Sequence, residues 1–550
     1  MPSFAVLAPV LLPLLAAGVI TAFGLSGFNP GPIAVGAGAW AAVLALLAVW
    51  LPLRSTQELD LGQLGFGSAF QLRIDAVALA FGLIVLVPAA LVLTLQRRPW
   101  PEAAVGLLGV AAAMGAIEAG GVVLTALAGG TAATLAVIQL DTEDIRAPRP
   151  RWSMLLAAWL ALSWAGAILQ VRGGTAAYAA VPVFALTVPV FALIAFAGVM
   201  ASGLFPWRSW PARVWSRPSL RAAGLVVATL YPLGFYLLVR AYEMGDGRYP
   251  NAAFNAILAS WGVVVALAAA VRAQSAATRR EFFGEVIPGI GGFALMTVTL
   301  GTPLGLVAGL ITLAAAAAMT ACLSLLPDRA GPASLIAIAA VIGLPPGLAF
   351  GARIVGIEST FEAGDFYGFI GVAGTAAWVL WMVAGARATG LPAGRGRPTN
   401  ETFPRFAMTV AVLLLAAGPA LAVFQSVFAN PAQADVMPLP PGSVSGGLTS
   451  VVTVSTVLPV VALFVPLLII GVLAYGAAGT SLIRTQPRPA LFNIPWTGAI
   501  DRVRRAATSV SMPEQYRSIL DLRALEAAAI GGRPLLWLAS LAALAFAVTR

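Results

Sequence analysis

Histidine and lysine are both absent from this chain of 550 residues, and all 32 of its basic residues are arginine. The sequence therefore lacks the imidazole metal ligand, the usual proton carrier near neutral pH, and any amine whose pKa burial could tune. Cysteine is nearly absent too. The single Cys322 can form no intrachain disulfide and belongs to no C-x-x-C pair, so it reads as a small buried hydrophobe. Charged residues make up only 10% of the chain, against roughly 25% in soluble domains, which excludes a soluble globular protein. There is no G-x-x-x-x-G-K-[ST] sequence and no cysteine or histidine cluster. No nucleotide, haem, flavin or metal cofactor is expected, and any redox chemistry would lie on other chains.

What is present is apolar: 60% of the residues are hydrophobic. At roughly 20 residues per crossing, that leaves room for about 14 to 16 transmembrane helices. Apolar runs bounded by Arg, Pro, Gly or Trp mark spans from 5–23 to 534–548, including 179–205, 333–349, 404–428 and 454–478. The predicted fold is an all-α polytopic membrane protein. The net charge of +10 reflects topology and not nucleic-acid binding. With the N-terminus outside, 25 of the 32 arginines fall in cytoplasmic loops and 7 outside, Arg73, Arg240 and Arg353 among the latter. That bias predicts an inner-membrane protein with both termini on the outer side. The first apolar stretch lacks a basic leader and reads as a helix, not a cleaved signal.

Two hydrophilic stretches interrupt the spans. Residues 55–70 alternate weakly and suggest an outer β-hairpin. Residues 479–533 are basic and punctuated by proline, with charged and apolar residues at helical spacing, which suggests an amphipathic arm on the cytoplasmic surface that meets lipid or a partner. The predicted organisation is a transmembrane domain 1–478, the arm 479–533 and a last helix 534–550. Trp100, Trp210 and Trp215 fall at predicted interfaces as anchors.

Three stretches carry more specific information. The first contains Pro206, Trp210 and Pro218 and ends at Gly234 and Arg240. It resembles the pattern P-F-H-x-W-L-P-D-A…A-P-T-P-V-S…K-x-G-x-Y-x-L-x-R of the antiporter-like membrane subunits found in respiratory complex I, Mrp cation antiporters and membrane-bound hydrogenases. The second, Arg279-Arg280-Glu281 onward to Gly291, is similar to the family's D-x-K-R-x-x-A-Y-S-S-I-x-x-x-G. The third, Gly343-Leu344-Pro345-Pro346 with Phe350 and Arg353, is similar to G-x-P-P-x-x-G-F-x-x-K. Asp75 stands where the family has an aspartate at the head of its third helix. The resemblance covers residues 1 to about 480. It implies two inverted repeats, each with a discontinuous helix, and a midplane relay of buried lysines, histidines and glutamates whose pKa values burial and pairing can tune. It also implies partners: other membrane and peripheral subunits of a redox complex, together with lipid.

This sequence departs from the family where the relay should be. The lysine after the A-P-T proline aligns with Pro232, which would help break its helix; the glutamate of the fifth span aligns with Ala128; the next histidine–lysine cluster aligns with alanines around Ala316. Basic residues persist at expected loop edges, as Arg279 and Arg353, but arginine keeps its proton. Glu118 and Glu285 are the candidate ionisable groups. Each is expected to be solvated or paired with arginine, with Glu281 and Glu285 knotted to Arg279 and Arg280 at a helix entry. Three readings follow: a non-catalytic scaffold subunit that has lost the relay, a translocator working through water chains with Glu118 or Glu285, and a stand-alone secondary transporter.

Overall fold

The computed structural model describes residues 4–52, 54–63, 68–143, 153–205, 210–217, 220–326, 331–392 and 404–437. Pro206, Pro218, the expected spans 454–478 and 534–548, and the arm 479–533 lie outside the described residues. In chain order the elements are α1 (Ala8–Leu25), α2 (Pro32–Trp50), a hairpin of β1 (Gln57–Gln63) and β2 (Ala69–Ile74), α3 (Ala76–Leu95), α4 (Trp100–Ile117), α5 (Val122–Glu143) and α6 (Ser153–Gly173). Then come α7 (Val188–Ala201), α8 (Trp210–Trp215), α9 (Arg221–Met244), α10 (Ala252–Gln274), α11 (Arg279–Val298) and α12 (Pro303–Leu325). The last are α13 (Pro332–Ile342), α14 (Leu348–Glu362), α15 (Asp365–Ala388), α16 (Pro404–Ala416), α17 (Ala420–Phe424) and α18 (Asn430–Val436). Among the described residues, 11 helices are long and apolar enough to cross a membrane, and the pair Ala407–Ala416 and Ala420–Val436, bent by 61°, can supply a twelfth.

Local sequence sets the helix starts. Proline occupies the first turn of α2, α4, α7, α12 and α13, where its missing N–H costs nothing. Asp75, Asn251, Thr278 and Thr302 cap α3, α10, α11 and α12 through their side chains, each satisfying an otherwise orphaned amide. Helices α3, α9, α11 and α12 pack on one another at the centre. Nearly all of their length is buried, because almost every face meets protein. By contrast α1, α10 and α15 keep apolar side chains such as Leu15, Ile257 and Phe369 exposed, as lipid-facing helices do.

Two spans are broken, and the breaks follow from sequence. Helix α7 stops at Ser202 before Gly203, whose φ of +61° suits glycine, and the Trp210 indole closes the break by donating to the Ala201 carbonyl at 3.0 Å. Helix α13 stops at Gly343, and a cis Pro345–Pro346 bond precedes α14. The expected spans 179–205 and 333–349 are thus half-helices, and Trp210 and Trp215 are buried against protein instead of facing outward as anchors. Helix α9 is continuous through Pro232, so that proline does not break its helix. One freed carbonyl is tolerable where protein surrounds it.

Gly234 explains how α7 and α9 approach. A Cβ there would lie 2.2 Å from the Gly198 carbonyl oxygen and 2.3 Å from Ser202 Oγ, while Ser202 Oγ donates to the Tyr231 carbonyl at 2.8 Å. The two backbones touch. Gly234→Ala is therefore expected to cost about 3 kcal/mol, the upper end for overpacking, read as a lowered melting temperature of the purified chain. Gly18→Ala on α1, where nothing lies within 4 Å, should be neutral or stabilising by up to about 1 kcal/mol.

Candidate functional site

The densest buried chemistry sits where β2, α3 and α9 meet. Residues alternate in a strand and repeat every three or four in a helix, so Arg73 and Asp75 share one side of the chain entering α3, and Arg240 and Glu243 share one face of α9. Arg240 grips Asp75 with both terminal nitrogens, at 2.7 and 3.0 Å, and reaches Glu243 at 2.6 Å. Arg73 closes the ring to Glu243 at 2.5 Å and to Asp75 at 3.1 Å. Two cations face two carboxylates. Arg240 also donates to the Tyr236 hydroxyl at 2.9 Å and lies 5.0 and 5.3 Å from the ring centres of Tyr236 and Tyr178, within cation–π range.

Asp75 is fully buried and accepts from the Ala78 amide at 2.8 Å. Burial alone would push its carboxyl upward, but Arg240 and Arg73 outweigh burial and hold it below the usual carboxylate range. Asp435, on α18, donates nothing to this ring; its carboxylate accepts from the Ala76 amide at 3.0 Å, so two aspartates cap the start of α3. Chemically the quartet is a charge-paired lock, in which the Arg73 Nε alone is buried without a hydrogen-bond partner and faces Glu58 at 3.6 Å. Neither arginine releases a proton at physiological pH.

Several sequence expectations are corrected here. Arg240, counted among the outer arginines, lies within α9 and is 1% exposed, and Arg73 of the hairpin is its neighbour in the ring. Arg353 was expected at a loop edge, but it lies within α14, buried, donating to the Ile342 carbonyl that ends α13 and lying about 6 Å from the Phe293 and Trp378 ring centres. It is drawn inward because the chain re-enters the bundle after the break at Gly343. Arg279, also buried, donates to the Ser334 hydroxyl at 2.7 Å and to the carbonyls of Ala388 and Thr389 at 3.2 and 2.6 Å. Arg280 donates to the carbonyls of Trp215 and Arg217.

The expected knot at the α11 entry is therefore not formed by Arg279 and Arg280. Glu285 pairs with Arg272 of α10 at 2.8 Å, and Glu281 accepts from the Ala277 amide at 2.9 Å. Glu118, expected to be solvated or arginine-paired, is neither: it is wholly buried, and neither carboxylate oxygen has a hydrogen-bond partner.

The positions aligned with the family's relay lie within packed helices. Ala128 on α5 faces Gly115 of α4, Pro232 is buried on α9, and Ala316 is buried on α12. Four threonines of the central helices turn back on their own backbone, whereas the Tyr231 and Tyr242 hydroxyls of α9 donate across to the Ile287 and Val298 carbonyls of α11 at 3.1 Å. Thr229, Thr297, Thr312 and Thr320 donate to the carbonyls of Leu225, Phe293, Ala308 and Ala316 at 2.7 to 3.0 Å. Such bonds satisfy the hydroxyl without linking helices.

The residues that sequence reasoning missed are Arg73, Glu243 and Asp435. Local signals existed for the first two, the i, i+2 and i, i+3 charge pairs, but nothing local joins them.

No protein-family model matches the sequence, and no similar curated protein was found. Solved structures do resemble it. A chain of the Mrp complex from Dietzia sp. DQ12-45-1b matches over 92% of this chain with TM-score 0.74 and 20% identity. This chain spans 59% of that longer one. A chain of respiratory complex I from Thermus thermophilus matches over 79% of this chain and 98% of its own length, with TM-score 0.64 and 21% identity. A chain of the membrane-bound sulfane sulfur reductase, an archaeal respiratory membrane complex, matches over 99% of this chain and all of its own, with TM-score 0.64 and 16% identity. With its two broken spans and polytopic bundle, this chain has the fold of the antiporter-like membrane subunits.

Proposed function

We propose that this chain is a non-catalytic, antiporter-like scaffold subunit of a multisubunit membrane complex related to complex I or the membrane-bound hydrogenases, and that its proton relay has been lost. The observation that carries the reading is the filling of the relay positions. Ala128, Pro232 and Ala316 carry no titratable group, and the hydroxyls of Thr229 and Thr320 nearby are spent on their own helices. A relay requires groups that gain and lose a proton at the working pH; the buried arginines Arg240 and Arg353 do not.

The scaffold's partners are other membrane and peripheral subunits and the surrounding lipid, with the arm 479–533 on the cytoplasmic side available to either. The arginine bias supports the inner membrane, with the Asp75 end of the bundle outward. The chain should co-migrate with redox-bearing subunits on a native gel; migration alone in mild detergent favours a stand-alone transporter and ends this reading. In proteoliposomes of the intact complex, Glu118→Gln and Glu285→Gln are expected to leave the proton-to-electron ratio unchanged. A fall in that ratio for either variant overturns the scaffold reading in favour of translocation through the residual carboxyls.

A further inference from the structure

Glu118 follows the last residue of the α4 span, and its backbone is fully engaged. Its N–H donates to the Met114 carbonyl at 2.8 Å, and its carbonyl accepts from the Arg73 N–H at 2.6 Å. The next residues are laced on both sides: Gly120 N–H donates to Gln71 at 2.8 Å, and Tyr178 and Val122 N–H donate to Gly120 and Ala176 at 3.0 and 2.9 Å. A short strand-like seam thus seals this corner from solvent.

The charged and titratable groups brought here are all committed elsewhere. From α9, Tyr236 donates to the Ile117 carbonyl at 2.7 Å and Arg240 binds Asp75. From β2, Arg73 binds Glu243 and Asp75. From the loop after α6, Tyr178 donates to Thr125 of α5 at 2.8 Å. Asp75, capping α3, is held by the two arginines. The carboxyl of Glu118 receives no donor from any of them.

An ionised carboxylate in that position would lose its hydration and gain nothing, a penalty of several kcal/mol. A neutral acid loses far less. We propose that Glu118 is a proton-binding site, a carboxylic acid that stays protonated at neutral pH and exchanges its proton when the seam at residues 118–121 parts from β2 or from residues 176–178. Burial acts in the same direction, pushing this carboxyl well above the ordinary glutamate range. The inference does not depend on the scaffold reading, because a site that binds a proton need not pass it on.

Dicyclohexylcarbodiimide, which adds to protonated carboxyls in apolar surroundings, tests this on the intact complex, with labelling quantified by peptide mass spectrometry. Between about pH 6 and pH 8 the protonated fraction of an ordinary glutamate falls about 100-fold. Labelling at Glu118 should instead change by less than about twofold if its pKa lies above this range. If the seam keeps the reagent out at every pH, infrared difference spectra decide. A carboxylic-acid C=O band at about pH 8 that shifts in deuterium oxide and vanishes in Glu118→Gln supports the site; absence of the band overturns it. A loss of label at Glu118 of about 100-fold over the same range overturns it equally. A protonated Glu118 together with a lowered proton-to-electron ratio in Glu118→Gln would sink the scaffold reading and leave this site standing.

Discussion

Asp75→Asn and Arg240→Met are each expected to abolish recovery of folded chain after detergent extraction. Either change leaves the buried quartet with one uncompensated charge, which costs about 3–5 kcal/mol, a large share of the roughly 5–15 kcal/mol that keeps a typical protein folded. Heating extracts and measuring the surviving fraction by size exclusion gives the readout. The double variant Asp75→Leu with Arg240→Met should recover much of the loss, because Arg73 and Glu243, 2.5 Å apart, remain as a neutral pair. Single variants that melt with the parent would show the quartet to be dispensable. The pH dependence has a definite sign. Asp75 is held below its ordinary value of about 3.9, so its contribution is complete above that pH and is lost as pH falls through the lower folded-state value. The lock therefore holds across the neutral range and weakens only in strong acid.

Putting back what the relay lacks should do the reverse of repair. Ala316→Lys is expected to lower the yield of assembled complex severalfold and to add no proton translocation. A cation at the centre of a membrane helix costs about 2.5–3.5 kcal/mol on insertion scales, and the longer side chain adds about 1–3 kcal/mol of overpacking. Ala316→Met separates these effects, since it adds similar bulk without charge, and it should assemble better than the lysine variant. Equal assembly of the two would mean that water already reaches this depth, and the argument that the relay site is closed would fail.

The spans were legible because apolar runs of about 20 residues have few alternatives. Helix α3, Ala76–Leu95, is one such uninterrupted apolar run. The half-helices were less legible from pattern alone, since 179–205 is apolar throughout, and only Gly203 and the Trp210–Ala201 bond stop α7. Charge was the hardest feature to read. Arg73 with Asp75 and Arg240 with Glu243 are each visible as local pairs, but their union is tertiary and no spacing announces it. Glu118 was misread because it ends an apolar run, the usual place of a wet interface. Strand pairing of residues 119–121 with β2 and with residues 176–178 covers it, and a helical reading contains no such cover. Arg353 was misread for the opposite reason: Gly343-Leu344-Pro345-Pro346 looks like a loop, yet it is a break inside the bundle, and the chain beyond it turns back among Phe293 and Trp378.

The quartet also sets a timetable for biosynthesis. Asp75 and Arg240 are 165 positions apart, and at about 5–20 residues per second a ribosome takes on the order of ten seconds to travel between them. During that interval the aspartate has a single counter-charge within reach, Arg73, at 3.1 Å on the strand leading into α3. The hairpin therefore serves the nascent chain first, escorting a carboxylate at the mouth of a helix until α9 is made. Asp435, 359 positions beyond Ala76, arrives later still, so the start of α3 is laid down early and is among the last corners of the bundle to be closed.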